Sequence, residues 1–278
     1  MRNRRKKNMK KKRSARKGAR LGQHFLTGTW AAEVLARAVD VKPNETILEI
    51  GPGKGALTKE LLATGATVIA IEKDEALVTH LEETFRSKIE FGKLILVSDD
   101  IRNFDPQRYN LIAGSYVLAA NIPYYITGEI IRQFLETSSQ PRALALLVQK
   151  EVADRIVARN GKESILSLSV KAYGIPKIIA KVSRGNFSPP PSVDSAILLI
   201  DNVSKKFFDT ISEERFFEVI HAGFTSKRKF LANNLGVRFE KDRVAAVFNA
   251  IGILPAVRAE DVPLDAWKQL VSFLVAKP

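Results

Sequence analysis

A glycine-rich turn between a short apolar run and a helical pattern constrains the fold of this chain more than any other feature. Thr46–Ile50 has the β-branched and apolar character of a buried strand. It leads directly into Gly51-Pro52-Gly53-Lys54-Gly55, after which helical spacing extends over about residues 56–64. A second strand of the buried type, residues 67–71, ends at Glu72. This order of strand, glycine turn, helix and strand predicts a βαβ unit.

Strands and helices continue to alternate along the chain. Helical spacing is found near residues 30–39, 75–85 and 127–135, and short apolar runs predict strands at residues 93–97, 115–120, 143–148 and 196–200. The alternation up to residue 148 favours a parallel sheet covered by helices on both faces. Between residues 182 and 200 the chain changes character, and the run at 196–200 follows a proline-rich segment. From about residue 211 onward only helical periodicity is found, carried by Phe216, Phe217, Ile220, Val244, Val247, Phe248, Trp267, Leu270 and Leu274. We therefore predict an α/β domain over residues 21–204 and a small α-helical domain over residues 205–278.

Positive charge is concentrated at the amino-terminal end. The formal net charge is +14, but residues 1–20 hold twelve Lys or Arg and no acidic residue. Without them, 32 basic residues face 30 acidic ones. Such a run is typical of a disordered tail that binds phosphate groups through counterion release. We expect the tail from Arg2 to Arg20 to contact RNA; a solubilising role or an address signal are the alternatives.

Composition excludes several classes of site. The chain has no cysteine, so disulfides, thiolate metal sites and thiol nucleophiles are excluded, and a reducing compartment fits. The longest apolar stretches, such as residues 144–148, are far shorter than the roughly 20 residues that span a bilayer. We expect a cytoplasmic protein without a membrane or metal partner.

Three strand ends carry candidate ligand-binding groups. In open α/β sheets ligands bind beyond the carboxyl ends of the strands, where Gly51 and Gly53 would allow close approach to the backbone. Glu72 ends the second strand, where a carboxylate can accept both ribose hydroxyls of a nucleoside. Asp99 and Asp100 follow the third strand; with no nearby histidine a metal site is weakly supported. An NAD-dependent oxidoreductase would show the same glycine turn and Glu72.

Asn121-Ile122-Pro123-Tyr124, directly after the fourth predicted strand, is the most informative motif. The exocyclic amine of adenine is a poor nucleophile, because its lone pair is delocalised into the ring. The Asn121 side-chain oxygen and the Ile122 carbonyl oxygen could accept its two hydrogens and align it with a methyl donor. Pro123 would fix the turn, and Tyr124 offers a ring on which the base can stack. An oxidoreductase leaves this motif unexplained.

The chain resembles the ribosomal RNA adenine dimethyltransferases, which include small-subunit enzymes of the KsgA type and macrolide-resistance enzymes that act on the large subunit. Seven segments resemble family segments in family order. They are LGQHFL (21–26), EIGPGKGALT (49–58), IEKD (71–74), NIPYYIT (121–127), QKEVADRI (149–156), FSPPPSVDS (187–195) and FTSKRKFLAN (224–233). The resemblance implies a Rossmann-like, S-adenosylmethionine-dependent methyltransferase domain with a small C-terminal α-helical domain.

The resemblance also implies roles for individual residues. S-adenosylmethionine would be bound by His24, Leu26, Gly51, Gly53, Glu72, Asp100 and Asn121. Asp100 is preferred to Asp99 because the residues after it match the family pattern. The target adenine would stack against Tyr124 and Phe187. His24 stands where many relatives have Asn, and Tyr125, where others also have Asn, is expected to pack.

The implied reaction is N6 dimethylation of adenine in ribosomal RNA, linked to ribosome biogenesis, by a monomer. The segments at residues 149–152, 187–195 and 224–231 resemble the small-subunit enzymes more closely. Lys227, Arg228 and Lys229 and the basic tail are the candidate phosphate contacts. Two alternatives are left open: a large-subunit enzyme of the macrolide-resistance type, and a non-catalytic RNA-binding assembly or transcription factor of the same fold.

Overall fold

The computed structural model describes residues 23–275, which form two compact units. The first, here the sheet unit, comprises the described residues up to Ala153 together with Lys177–Val203. The second, the helical unit, comprises Asp154–Pro176 and the described residues from Ser204 onward. The predicted basic tail and the first two residues of the LGQHFL segment lie outside the described residues.

A seven-stranded sheet forms the centre of the sheet unit, with strand order β4-β3-β2-β5-β6-β9-β7. A separate two-stranded antiparallel sheet pairs β1 with β8. The strands are β1 (Phe25–Leu26), β2 (Thr46–Ile50), β3 (Thr67–Glu72), β4 (Leu94–Ser98), β5 (Tyr116–Ala120), β6 (Ala143–Gln149), β7 (Ile175–Val182), β8 (Phe187–Ser188) and β9 (Ser195–Asp201).

The parallel strands bring their carboxyl ends to a common edge. Ile50 at the end of β2 is paired with Ile71 on β3 and with Ala120 on β5. On the outer side, Glu72 of β3 is paired with Ser98 of β4. The segments that follow these four strands therefore start side by side, which is the position the sequence predicts for the ligand-binding groups.

The prediction of a parallel sheet is confirmed for the five neighbouring strands β4, β3, β2, β5 and β6. The sequence pattern assigns no direction to β9, which pairs antiparallel with β6. Both strands are buried along almost their whole length. A strand buried on both faces reads as a continuous apolar run whatever its direction, so periodicity contains no information on the orientation of β9.

Helices cover the sheet and form an apolar core with it. They are α1 (Thr29–Ala38), α2 (Ala56–Ala63), α3 (Glu75–Thr84), α4 (Arg86–Glu90) and α5 (Thr127–Glu136). A further helix, α6 (Lys150–Ile156), begins in the sheet unit, and its residues from Asp154 onward belong to the helical unit. On one face, Ile47 of β2 and Val117 of β5 belong to the same buried cluster as Leu35 of α1 and Leu61 of α2. This packing holds the glycine turn between β2 and α2 against the sheet.

The helical unit has its own core. Its helices are α7 (Ile165–Lys171), α8 (Glu213–Gly223), α9 (Leu231–Leu235), α10 (Lys241–Ile251) and α11 (Leu264–Val275). Phe216, Phe248 and Trp267 are fully buried within it, as their periodicity predicts. A Cβ at Gly223 would lie 2.3 Å from the Trp267 ring, so the close approach of α8 and α11 requires glycine there. No helix within residues 23–275 is long and apolar enough to cross a bilayer.

The predicted domain boundary differs from the observed units in one segment. The sequence pattern places residues 154–176 in the α/β domain, but they cluster with the helical unit. The reason is that Leu168 and Ala172 pack into the same apolar cluster as Phe216. Contacts between segments so far apart in sequence leave no local signal. The second segment of the helical unit begins at Ser204, one residue before the predicted start of the helical domain at residue 205.

Candidate active site

A cleft of about 410 Å³ opens at the carboxyl edge of the parallel strands. This volume is within the range of small-molecule sites, roughly 300 to 1,000 Å³. All of its walls belong to the sheet unit, and they come from the segments that follow the strands: residues 23–26, 50–54, 56–57, 71–74, 99–102 and 121–126. The structure therefore brings together all the predicted cofactor-binding residues in one cleft.

The glycine turn forms one wall of the cleft. Gly51, Gly53 and Gly55 all have positive φ angles, of 65°, 60° and 83°. The Gly51 N–H donates a 2.9 Å hydrogen bond to the Ile71 carbonyl oxygen, which ties the turn to β3. A Cβ at Gly53 would lie 3.0 Å from the Phe25 ring. Backbone conformation and close packing thus both favour glycine here, and they leave peptide groups at the surface of the cleft.

Glu72 lies in a cradle of backbone N–H groups. One carboxylate oxygen accepts from Gly53 N at 3.1 Å, and the other from Lys73 N at 2.9 Å and Asp74 N at 3.0 Å. The side chain is buried, and burial raises its pKa above the usual range against the opposing effect of these N–H groups. The cradle fixes the carboxylate at the cleft wall and leaves it acceptor capacity for a ligand.

Asp100 is held by two cations that the sequence did not single out. Its oxygens accept from the backbone N–H and Nε of Arg102, at 3.1 and 3.0 Å, and from Lys73 Nζ at 2.7 Å. Hydrogen bonds from Arg102 are the main cause of a pKa well below the usual range. Asp99 is exposed, although it too borders the cleft. The strand end indicated both aspartates and the resemblance to the family selected Asp100, but the partners of Asp100 depend on side-chain reach.

The side-chain amide of Asn121 has a fixed partner. Its Nδ2 donates a 3.0 Å hydrogen bond to the His24 carbonyl oxygen, so its Oδ1 is left to accept from a ligand. His24 is itself positioned, because its Nδ1 donates to the Pro189 carbonyl oxygen at 2.8 Å. Its ring stacks on Tyr124 with centroids 5.6 Å apart. Two remote segments, those of His24 and Pro189, thus fix the orientation of Asn121.

Tyr124 lies half-buried behind Asn121. Its hydroxyl shares a 2.7 Å hydrogen bond with the Ser195 hydroxyl, and burial raises its pKa above the usual value. Ile122 is buried, and Pro123 leads into a 3₁₀ turn over Tyr124–Ile126. Sequence reasoning missed Ser195; its place at the end of FSPPPSVDS, as the first residue of β9, is the signal that could have indicated it.

The exposure of two aromatic residues, Tyr125 and Phe187, differs from what their proposed roles suggest. The prediction that Tyr125 packs is wrong, because 73% of its surface is exposed at the cleft. The side chains of adjacent residues in a 3₁₀ turn point about 120° apart, so Tyr125 faces outward where Tyr124 faces inward. Phe187 is only 4% exposed, is paired with Leu26 in the small sheet and is not part of the cleft wall.

Lys227, Arg228 and Lys229 lie on the loop between α8 and α9 of the helical unit, and all three are exposed. Buried Asn234 anchors this loop, since its Nδ2 donates to the carbonyl oxygens of Gly223 at 2.6 Å and Ser226 at 3.0 Å. Within residues 23–275 no group of three or more His, Asp or Glu side chains is arranged to hold a metal ion.

Comparison with known proteins places this arrangement in a family. The profile of the family "Ribosomal RNA adenine dimethylase" matches residues 14–276. A "Ribosomal RNA small subunit methyltransferase A" of Dehalococcoides mccartyi (strain CBDB1) is 42% identical over 258 residues, covering 92% of this chain and 87% of the relative. The protein of the same name from Fusobacterium nucleatum is 37% identical, covering 90% of this chain and 94% of the relative.

Two crystal structures share the fold over most of the chain. The 23S rRNA methyltransferase ErmE is 25% identical, with a TM-score of 0.75 over 90% of this chain and 99% of that one. A dimethyladenosine transferase from Plasmodium falciparum is 23% identical, with a TM-score of 0.76 over 90% and 97%. The family profile, which covers nearly the whole sequence, and the relatives at 37% to 42% identity establish that the chain belongs to the ribosomal RNA adenine dimethylase family.

Proposed function

We propose that this chain transfers two methyl groups from S-adenosylmethionine to the exocyclic amine of an adenine in small-subunit ribosomal RNA. The observation that carries the proposal is the fixed amide of Asn121, with an unused acceptor oxygen, in the same cleft as Glu72 and Tyr124. The small-subunit target is supported by the names of the relatives at 37% to 42% identity.

The described residues fit S-adenosylmethionine, which supplies an electrophilic methyl group when bound. Glu72 keeps acceptor capacity for the two ribose hydroxyls, since its backbone cradle holds it without a side-chain cation. Asp100 is the acceptor for the adenine amine of the cofactor. Gly51 and Gly53 present backbone peptide groups to the remaining part of S-adenosylmethionine, and His24 and Leu26 complete the wall of the cleft.

The Asn121 to Tyr124 turn orients the target amine. Asn121 Oδ1 and the Ile122 carbonyl oxygen accept its two hydrogens and draw the nitrogen toward tetrahedral geometry. Pro123 fixes the turn, and the Tyr124 ring supports the base. Alignment and preorganised acceptors then lower the barrier without a covalent enzyme intermediate.

Proton release requires no strong base in this turn. A tyrosine hydroxyl, with an ordinary pKa of about 10, is already neutral near pH 7, and burial raises the pKa of Tyr124 further, so the proton leaves to water after transfer. Phe187 is proposed to contact the target base from the other side. Its buried ring would have to rotate out of the core for this contact, which makes Tyr124 the first of the two to meet the base.

The protein recognises the RNA around the target base through contacts to phosphate groups and through the shape of the RNA. The exposed Lys227, Arg228 and Lys229 are the proposed contacts in the helical unit, together with the basic tail from Arg2 to Arg20. The substrate is proposed to be the small ribosomal subunit or its precursor. A monomeric state and a cytoplasmic location stay predictions.

A large-subunit target is the second candidate. The specific observation in its favour is the likeness to the 23S rRNA methyltransferase ErmE over 99% of that chain. The sequence identity of 25% is well below that of the small-subunit relatives, so the small-subunit target is preferred.

Substitution of Asn121 tests the proposed site. We expect Asn121→Ala to lower the rate constant for methyl transfer by about 100- to 1,000-fold, the usual effect of removing one preorganised polar group. RNA affinity should stay within about threefold, since the side chain reads one amine in a larger interface. Asn249→Ala, an exposed asparagine of α10, is the control. Loss of RNA binding with normal turnover would contradict the assigned role.

A further inference from the structure

Tyr125 is an exposed aromatic ring at the mouth of the cleft, and neither its burial nor a hydrogen bond among the described residues explains it. Single exposed aromatic residues are common on protein surfaces and need no explanation by themselves. The position of this one is unusual, because it directly follows Tyr124 in the turn that faces the reacting groups. Its surroundings therefore decide what it can bind.

The turn that carries Tyr125 is held in place from several sides. The Ile126 N–H donates to the Pro123 carbonyl oxygen at 3.2 Å, and the Tyr124 hydroxyl is bound to Ser195 at 2.7 Å. The His24 ring stacks on Tyr124. A ring mounted on such a turn is preorganised, so little conformational entropy is lost when a flat ligand stacks on it.

The charges around the cleft favour a base over a phosphate group as the ligand beside this ring. Three cations (Lys54, Lys73 and Arg102) and four carboxylates (Glu72, Asp74, Asp99 and Asp100) border the cleft. Two of the cations are already bound to Asp100. A nucleotide at the mouth would therefore be bound through its base rather than through its phosphate group.

We propose that Tyr125 is a stacking residue for the nucleotide next to the target adenine. This inference rests on the proposed function, since it places the target base on Tyr124. The two consecutive tyrosines would then hold two consecutive bases, one inside the cleft and one at its mouth. Because every base has a π-face, such a contact accepts any neighbouring base and fixes the position of the strand.

Stacking predicts a specific pattern among substitutions. Base stacking on an aromatic side chain contributes about 1 to 3 kcal/mol, so Tyr125→Ala and Tyr125→Leu should weaken binding to undermodified small ribosomal subunits by roughly 5- to 150-fold. Tyr125→Phe keeps the ring and should restore affinity to within about twofold of the original. The slope of log affinity against log salt should be unchanged in all three, because the substitutions leave the bound phosphate groups unaffected.

The test measures subunit affinity at several salt concentrations, KM and kcat for methyl transfer, and the dissociation constant of S-adenosylmethionine. Phe91→Ala, at an 80% exposed aromatic of the same unit outside the cleft, is the matched control. A rise in KM with unchanged cofactor affinity supports the proposal. Equal affinity of Tyr125→Ala and the original chain overturns it, as does weaker binding by Tyr125→Phe, which would indicate a hydroxyl contact. Absence of transfer by the original chain would instead contradict the proposed function.

Discussion

Glu49 of β2 is a carboxyl group buried completely beneath the glycine turn. Neither of its oxygens has a hydrogen-bond partner among the described residues, and the nearby Thr58 hydroxyl is equally without one. Burial is the main cause that raises the pKa of Glu49 to about 8; proximity to Thr58 opposes the shift, and the charge of Glu72 adds to it. Glu49 is therefore neutral in the folded protein at pH 7.

This shift predicts how stability depends on pH. An ordinary glutamate in the unfolded chain titrates near 4.5, so between pH 4.5 and 8 the folded state binds one proton more. The free energy of unfolding should then fall with rising pH across this window, by about 1.4 kcal/mol per pH unit at most, and level off above pH 8. Glu49→Gln should remove the contribution of Glu49 and make the slope shallower, while the raised pKa of Glu72 keeps a slope of the same sign. Urea unfolding at pH 5, 6, 7, 8 and 9 would measure the difference.

The control for Glu49 is Glu82→Gln, an exposed glutamate of α3. It should leave the pH dependence as in the original chain. An identical slope in Glu49→Gln and the original chain would mean that Glu49 is ionised in the fold, with a partner outside the described contacts.

Sequence reasoning at the residue scale identified the groups at the strand ends but not their partners. Glu72 and Asn121 are found where strand order and spacing predict, because parallel strands align their carboxyl ends. The role of Lys73 and Arg102 beside Asp100 depends on side-chain conformation, which spacing does not encode. The exposure of Tyr125 likewise follows from the 3₁₀ turn after Pro123.

At the scale of elements, the turn between β2 and α2 combines two separate demands for glycine. Gly55 has a φ of 83°, and a Cβ there would lie 2.5 Å from the Phe85 ring. Gly65, after α2, has a similar φ of 86° but no atom within 4 Å of the same position. Comparison of Gly55 with Gly65 therefore separates the cost of a left-handed backbone conformation from the cost of steric overlap.

Alanine substitutions of this pair should differ in cost. Gly65→Ala should destabilise the protein by about 1 to 2 kcal/mol, the cost of a left-handed conformation. Gly55→Ala should cost about 1 to 3 kcal/mol more, because Phe85 must move. It should also weaken S-adenosylmethionine binding, since the turn borders the cleft. Thermal unfolding and calorimetric titration would check both; equal destabilisation by the two variants would contradict the steric argument.

Most helices and strands could be predicted from periodicity, whereas the pairing of strands could not. The bounds of β2 and β3 agree with the predicted strands to within a residue, since each is a compact apolar run between turn residues. β7 escaped detection because Pro176 interrupts it and its outer positions alternate between Ile and Lys. The small sheet of β1 and β8 joins segments about 160 residues apart, a contact that no local pattern contains.

At the scale of the whole molecule, charge distribution separates the tail from the folded units. The twelve basic residues among residues 1–20 account for most of the net charge of +14. Lys227, Arg228 and Lys229 add a second exposed cluster on the helical unit. Affinity for RNA should therefore have two electrostatic contributions, which can be removed one at a time.

Deletion of residues 1–20 should weaken RNA binding and flatten its salt dependence. For every phosphate group that the shortened chain no longer neutralises, the slope of log affinity against log salt should fall by about 0.7 to 0.9. Methyl transfer at saturating RNA should be unchanged, because the cleft is formed by residues of the sheet unit. Filter binding between about 50 and 200 mM salt would measure the slope; an unaltered slope would rule out phosphate binding by the tail.

The most direct test of the central claim is methyl transfer from labelled S-adenosylmethionine, with nucleoside analysis of the product. Undermodified small ribosomal subunits and unmodified large-subunit RNA would be compared in parallel reactions. We predict N6,N6-dimethyladenosine in the small-subunit reaction alone. Product only on large-subunit RNA would contradict the proposed target, and absence of transfer to both would contradict the proposed activity and favour an RNA-binding assembly factor.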